Sequence, residues 1–509
     1  MREAFVSTQV KRQTNTPEYF GKQPLNFEPF EVPLSELSNN RAGELNELLL
    51  DKTVVEIEGL MAAGELTAEE LVLFYVRRIR QYDEQLNSFI GLNPDVVAEA
   101  QKLDGERAAG NVRGPLHGIP VLLKDNVGTG QQMPTTAGAA ALAGSYTDAD
   151  AFITTQLREA GALILGKGNL SEWANFMTSE SANGFSVLGG QTRNPYGVFD
   201  VGGSSSGSAV AVAADLVTVS VGSETAGSII YPASQNSVVG LKPSIGAVSR
   251  NRIVPISDAM DTAGPMGRSV TDVAVLFNVL AAYDAADPLA AGALPLSEVD
   301  FTTYLDADSL QGKRLGVILR PDFMREGEDV VLSNAREVLE AAGAELIDLE
   351  LELPQIDYLD VLHYGLFHGV DHYLETVAVD AQVSTLSSVV AYNVADLPNR
   401  APFGQDLMVK SLKNTWTPEE YEQRVTLNRG MGGEALRQIL AEHQLDGILS
   451  VSNHLTGLYA PAGFPALTVP AGYRPHGEPL GVTFGGDFLS DGELLGMGYA
   501  FEQAAGVRR

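Results

Sequence analysis

The stretch GGSSSGSAVAVAADLVTVSVGSETAGSIIYPAS, residues 202–234, holds the side chains best suited to chemistry. Gly202, Gly203 and Gly207 mark a loop that must approach something closely, because glycine tolerates backbone angles other residues avoid. The small residues Ser208 to Ala214 suit a helix packed at short range. An apolar run, Val217 to Val221, reads as a strand delivering the chain into SETAGS, 223–228. In a glycine-containing turn, successive backbone N–H groups face one concavity, which suits an oxyanion. Ser228 stands at that turn, placed to attack a carbonyl whose oxygen the turn would hold.

A nucleophilic serine needs a base, and none of the seven histidines falls in this segment. Two candidates lie in HGIPVLLKDN, 117–126: His117, the nearest histidine in sequence, and Lys124, at the end of an apolar run. Burial disfavours an ammonium, so a lysine ending a buried strand has its pKa lowered toward neutrality and becomes a base. Serine–lysine pairs are a known variant of the triad.

Other motifs carry less. Gly203 to Gly207 satisfies G-x-S-x-G, but RNPYGVFDVG before it is not the apolar strand a nucleophile elbow requires. GALILGKG, 161–168, nearly spells a phosphate-binding loop, yet Gly168 stands where Ser or Thr would hold Mg²⁺. His363, His368 and His372 lack carboxylates at ligand spacing, and no metal site is expected. Trp173 and Phe176 fit a core as well as a pocket.

These residues sit in a chain of 509, with 44% hydrophobic and 19% charged residues, which excludes disorder and fibrous classes. The net charge of −31, with ten lysines scattered among 65 acids, repels phosphates and argues against a nucleic-acid partner. Absent cysteines remove disulfides and thiolate chemistry. No ~20-residue apolar run and no secretory leader are visible, so the expectation is a soluble, cytoplasmic protein off the membrane, monomer or homodimer.

Residues 1–50 are polar and proline-punctuated and read as an N-terminal arm. Thr53 with Glu56, and Thr67 with Glu70, spell capping boxes, and the apolar spacing after Thr67 predicts a helix to about residue 82. Short apolar runs at 119–123, 162–165, 217–221, 314–318, 447–451 and 466–470 predict strands, with helices between them at about 150–160, 270–282 and 328–342. This alternation predicts an α/β fold: one large domain over 51–509, with a core at about 114–280 and a helical elaboration at about 355–440.

Six segments in order, HGIPVLLKDN (117–126), GQTRNPY (190–196), GGSSSGS (202–208), GSETAGSI (222–229), VVGLKPS (238–244) and GPMGRSVTD (264–272), resemble the amidase signature family. NLSEWANF (169–176) and FGQDLM (403–408) make the chain look most like the bacterial peptide amidases. The resemblance implies a mixed central sheet covered by helices on both faces, and hydrolysis of a carboxamide without a metal or organic cofactor. It implies Ser228 as nucleophile, Ser204 as a bridging serine beside a cis peptide bond, and Lys124 as base. It assigns the oxyanion hole to the N–H groups of Thr225, Ala226, Gly227 and Ser228, and places Met177 and Thr178 on an acyl-pocket loop. The substrate implied is a peptide C-terminal amide or another small amide; aryl amides, esters, carbamates and an amidotransferase-type subunit are the alternatives. Two residues depart from the pattern. Ala226 stands where the peptide amidases tend to carry an acid, and Glu224 replaces the usual aspartate.

Overall fold

The structure is a computed structural model that describes residues 22–507. Eleven strands build one mixed sheet: β1 (Phe89–Leu92), β2 (Pro120–Lys124), β3 (Leu163–Gly168), β4 (Val219–Glu224), β5 (Val239–Lys242), β6 (Thr262–Gly267), β7 (Arg314–Ile318), β8 (Glu345–Leu349), β9 (Gly447–Val451), β10 (Ala466–Tyr473) and β11 (Pro479–Gly485). Across the sheet they run β1-β3-β2-β4-β6-β5-β10-β11-β9-β7-β8. β2 lies between β3 and β4 and is parallel to both. β6 pairs antiparallel with β4 and β5.

Every residue of β2 and β4 is buried, as befits strands covered on both faces. One apolar cluster joins the sheet to the helices Ala68–Leu86, Val270–Leu280 and Asp491–Ala505. A second cluster lies under the helices Leu359–Thr376, Leu386–Val394 and Pro418–His443, and takes in Trp173, Ile230 and Ile448. Helices therefore cover the sheet on both sides, the expected α/β architecture. Among the described residues, no helix is long and apolar enough to cross a membrane.

Local signals account for many boundaries. Both capping boxes form: Thr53 and Thr67 each accept from the third helical N–H, while Glu56 and Glu70 return the bond. The helix Ala68–Leu86 outruns its expected end by four residues and stops where Asn87 turns left-handed at φ 51°.

The expected arm, draped over the body, is helical in much of its described part. Residues 1–21 lie outside the described residues, but Glu31–Glu36 and Asn39–Leu49 are helices. Phe30, Leu45 and Leu49 are fully buried in the main cluster, so this part of the chain belongs to the body. The strand expected at 217–221 begins two residues later and runs on to Glu224, because β6 pairs with it that far. β6 itself, TAGPMG, carries no strand signature. Pro265 is tolerated because β5 pairs with β6 only through Gly267 and Met266.

Candidate active site

β2, the third strand from one edge of the sheet, ends at Lys124, and its Nζ is enclosed by serines. It lies 2.7 Å from Ser204 Oγ, 3.0 Å from Ser223 Oγ and 3.1 Å from the Ser223 carbonyl. Neither Lys124 nor Ser204 is exposed. Burial pushes the Lys124 ammonium down from 10.5 to about 7, against the opposing pull of Asp261 and Glu224. A neutral amine has two N–H donors and one lone pair. Ser223 offers two acceptors for the donors, which leaves the lone pair facing the Ser204 hydroxyl.

The chain reaches this geometry through a tight weave. The Gly203–Ser204 peptide bond is cis. Ser205 N–H donates to the Ser228 carbonyl at 3.1 Å, and Ser205 Oγ both donates to Ser223 O and accepts from Ser223 N. The helix Ser206–Ala213 follows at once, and Gly207 presses so closely on Ser88 and Asn169 that a Cβ would sit 2.3 Å from the Ser88 carbonyl oxygen. A backbone bond from Ser205, the neighbour of Ser204, to Ser228 itself thus ties the two segments together. Among the described residues no hydrogen bond joins the two hydroxyls, and Ser228 is partly exposed, open to an incoming carbonyl.

The turn after β4 is built to offer N–H groups. Glu224 Oε2 accepts from Ile229 N at 2.7 Å and Ile230 N at 3.0 Å, fixing the start of the helix Ile230–Gln235. Among the described residues, the N–H groups of Ala226, Gly227 and Ser228 meet no acceptor, the condition an oxyanion hole requires. Gly227 holds φ at 92°, an angle that favours glycine, while a Cβ there would lie 3.0 Å from Asn453 Nδ2, a side-chain end that can shift. The Thr225 hydroxyl donates to Asp261 Oδ1 at 2.5 Å.

Beside this turn opens a cavity of about 370 Å³, lined by Asn126, Ala174, Ser223, Glu224 and Thr225 and by 250–256, Asp258, Asp261, Tyr364 and Tyr373. Met177 and Thr178, expected on a pocket loop, do not line it. Met177 is buried, and the Thr178 hydroxyl donates to Asp406 Oδ1 at 2.7 Å and to the Phe403 carbonyl at 3.0 Å. The two residues edge a crevice of about 10 Å³ instead, so their loop is held to the helical elaboration.

The rival base is elsewhere. His117 packs its ring nitrogens against the Leu103 carbonyl and Arg113 N–H, away from every serine of the site. Two other lysines are fully buried, but Lys167 faces Val127 O, Thr135 and Asp125, and Lys242 donates to the carbonyls of Pro243 and Phe464. His363 bonds Ser411 and packs on Phe176, while His368 and His372 face the cavity from the same helix. Sequence reasoning missed Ser223, Ser205, Asn126 and Asp261. Only Ser205 and Ser223 carried a signal, as serines flanking the motif residues.

The model of the family described as Amidase matches residues 70–450. A probable amidase of Arabidopsis thaliana is 35% identical, over 90% of this chain and 91% of its own length. Among solved structures, an amidase family protein from Bacillus anthracis is 40% identical, covering 95% of this chain and 96% of that one, with a TM-score of 0.91. The native peptide amidase from Stenotrophomonas maltophilia is 40% identical over 90% of this chain and 98% of that one, with a TM-score of 0.85. A buried lysine against two serines, a turn of open N–H groups and this breadth of likeness together mean that the chain belongs to the amidase signature family and is an amide-hydrolysing enzyme.

Proposed function

We propose that Ser228, Ser204 and Lys124 carry out this hydrolysis, and that the substrate is a peptide C-terminal amide or a small amide of similar shape. One observation carries the assignment: Lys124 Nζ lies 2.7 Å from Ser204 Oγ while Ser223 occupies its other two contacts. Neutral Lys124 takes the Ser204 proton as Ser204 takes that of Ser228, and Ser228 Oγ adds to the amide carbon. The carbonyl oxygen gains its negative charge against the N–H groups of Ala226, Gly227 and Ser228, donors worth ~2.7–4 kcal/mol each by the usual mutational measure. The relay then runs backward: the C–N bond breaks, the leaving nitrogen receives the proton, and ammonia or an amine departs. Water, deprotonated by the same relay, cleaves the resulting ester and restores Ser228.

The peptide-amide reading is supported by the likeness to a peptide amidase over nearly the whole chain. Ala226 weakens it at one point, since the neutral side chain puts no charge beside the turn. The test is ammonia release from peptide amides, aliphatic amides and anilides, each run beside Ser228→Ala and Lys124→Ala. Release from peptide amides that both variants abolish supports the triad and the substrate together. Turnover confined to anilides or small aliphatic amides keeps the triad and discards the peptide preference.

A further inference from the structure

The strand register places a carboxylate opposite the turn that offers the N–H groups. β4 and β6 run antiparallel with Glu224 across from Thr262, so one step further Thr225 faces Asp261. The Thr225 hydroxyl donates to Asp261 Oδ1 at 2.5 Å. The other oxygen, Oδ2, accepts from Ile256 N at 2.7 Å and Ser257 N at 2.9 Å, and Asp261 N donates back to the Ser257 carbonyl at 2.9 Å. Ile256 and Asp258 line the large cavity, as does Asp261 itself.

One carboxylate therefore holds two things at once. On one oxygen hangs the first residue of the turn whose next three N–H groups are open. On the other hangs the loop that walls the substrate cavity. Glu224 fixes the far end of the same turn through Ile229 and Ile230. The turn is pinned at both ends by carboxylates that line the cavity, and the Asp261 pin is also hydrogen-bonded to the 256–257 wall loop.

From this geometry we infer that Asp261 is a positioning residue: through Thr225 it aligns the N–H donors with the developing oxyanion, and through Ile256 and Ser257 it couples that alignment to the wall the acyl group packs against. The inference rests on the reading of Ser228 as nucleophile. Because misalignment acts on the transition state and leaves ground-state contacts in place, its loss falls on kcat.

Thr225→Val removes the hydroxyl at constant shape, and Thr225→Ser restores it. Both are assayed with a short aliphatic amide and with a bulky peptide amide, beside Asp261→Asn and Ser228→Ala, with thermal unfolding recorded for each. The expected result is a kcat lower by on the order of tenfold to a hundredfold in Thr225→Val, with KM within about threefold and most of the loss recovered in Thr225→Ser. Asp261→Asn lowers kcat in the same sense and changes the ratio of short to bulky amides, because one amide oxygen replaces the two that served the Thr225 hydroxyl and the wall loop. A Thr225→Val enzyme with wild-type kcat, while Ser228→Ala is inactive, overturns the inference and leaves the nucleophile standing. An active Ser228→Ala overturns both. If Thr225→Val unfolds, the comparison of Asp261→Asn with wild type on the two amides decides alone: equal kcat on both refutes the positioning role.

Discussion

Lowering the pH should switch this enzyme off through Lys124, and the midpoint of that loss measures how far burial has moved the residue. The drop from 10.5 to about 7 corresponds to about 5 kcal/mol of preference for the neutral amine. An exposed lysine is neutral in only about one molecule in 3,000 at pH 7, whereas Lys124 is neutral in about half. Burial thus raises the working fraction of base by about a thousandfold near neutrality. In the proposed mechanism the neutral form is the active one, so log kcat/KM should climb with a slope of one up to about pH 7 and then level. Ammonia release measured from pH 5 to 10 at constant ionic strength gives the profile. Asp261, which lines the cavity beside the turn, is pushed up to about 6 by burial and lies near that range too. Asp261→Asn separates the two. Removing a negative charge that favours the ammonium moves a Lys124 limb to lower pH, whereas a limb due to Asp261 itself disappears. A limb centred near 10, or activity flat down to pH 5, would refute the idea that desolvation makes Lys124 the base.

Three further outcomes follow from the geometry. Glu224→Ala strips the acceptor from two buried N–H groups and should destabilise the chain by about 2–4 kcal/mol in urea titrations while lowering kcat; Glu224→Gln, which keeps one acceptor oxygen, should be milder on both counts. Asp406→Ala releases Thr178 and Ser179 from the helix Asp406–Ser411; because that loop does not line the cavity, the variant should lose about 1–2 kcal/mol of stability in urea titrations with kcat and KM per folded molecule unchanged. Lys242→Met leaves the Pro243 and Phe464 carbonyls without their donor and should cost about 2–4 kcal/mol, with kcat per folded molecule unchanged. That cost depends on pH. Burial lowers Lys242 to about 8, so between about 8 and 10.5 the unfolded chain binds the extra proton and the native lysine gains stability as pH rises. The gap between wild type and Lys242→Met should widen over that window, and a gap that narrows would contradict the sign.

Much of the molecule was legible in its residues because the information is local. Capping boxes at Thr53 and Thr67 operate over three residues, and both form. Arg314–Ile318 and Gly447–Val451 are apolar runs with polar or turn-forming neighbours, and the strands occupy those bounds. The glycines and serines of 202–208 and 223–228 state their purpose by type and spacing, and the fold brings them against Lys124. Elements of ordinary composition were opaque. TAGPMG has no strand signature, yet β4 and β5 recruit it as β6. Phe30, Leu45 and Leu49 lie in a stretch that looks like a polar arm until its apolar face finds the main core.

The amino-acid sequence by itself determined the fold class, the turn that offers N–H groups, and a short roster of residues able to do acyl transfer. What sets them apart is found in the tertiary structure. Lys124 and Ser204 are 80 positions apart and Lys124 and Ser223 are 99, so no spacing rule could prefer Lys124 over His117. The sheet decided, by setting β2 between β3 and β4 and burying one amine among hydroxyls while His117 turned to a helix carbonyl. It also brought in Asp261, 36 residues beyond Thr225, through the antiparallel register of two strands. A pKa near 7 depends on what surrounds a group on every side, and that exists only once the chain has closed around it.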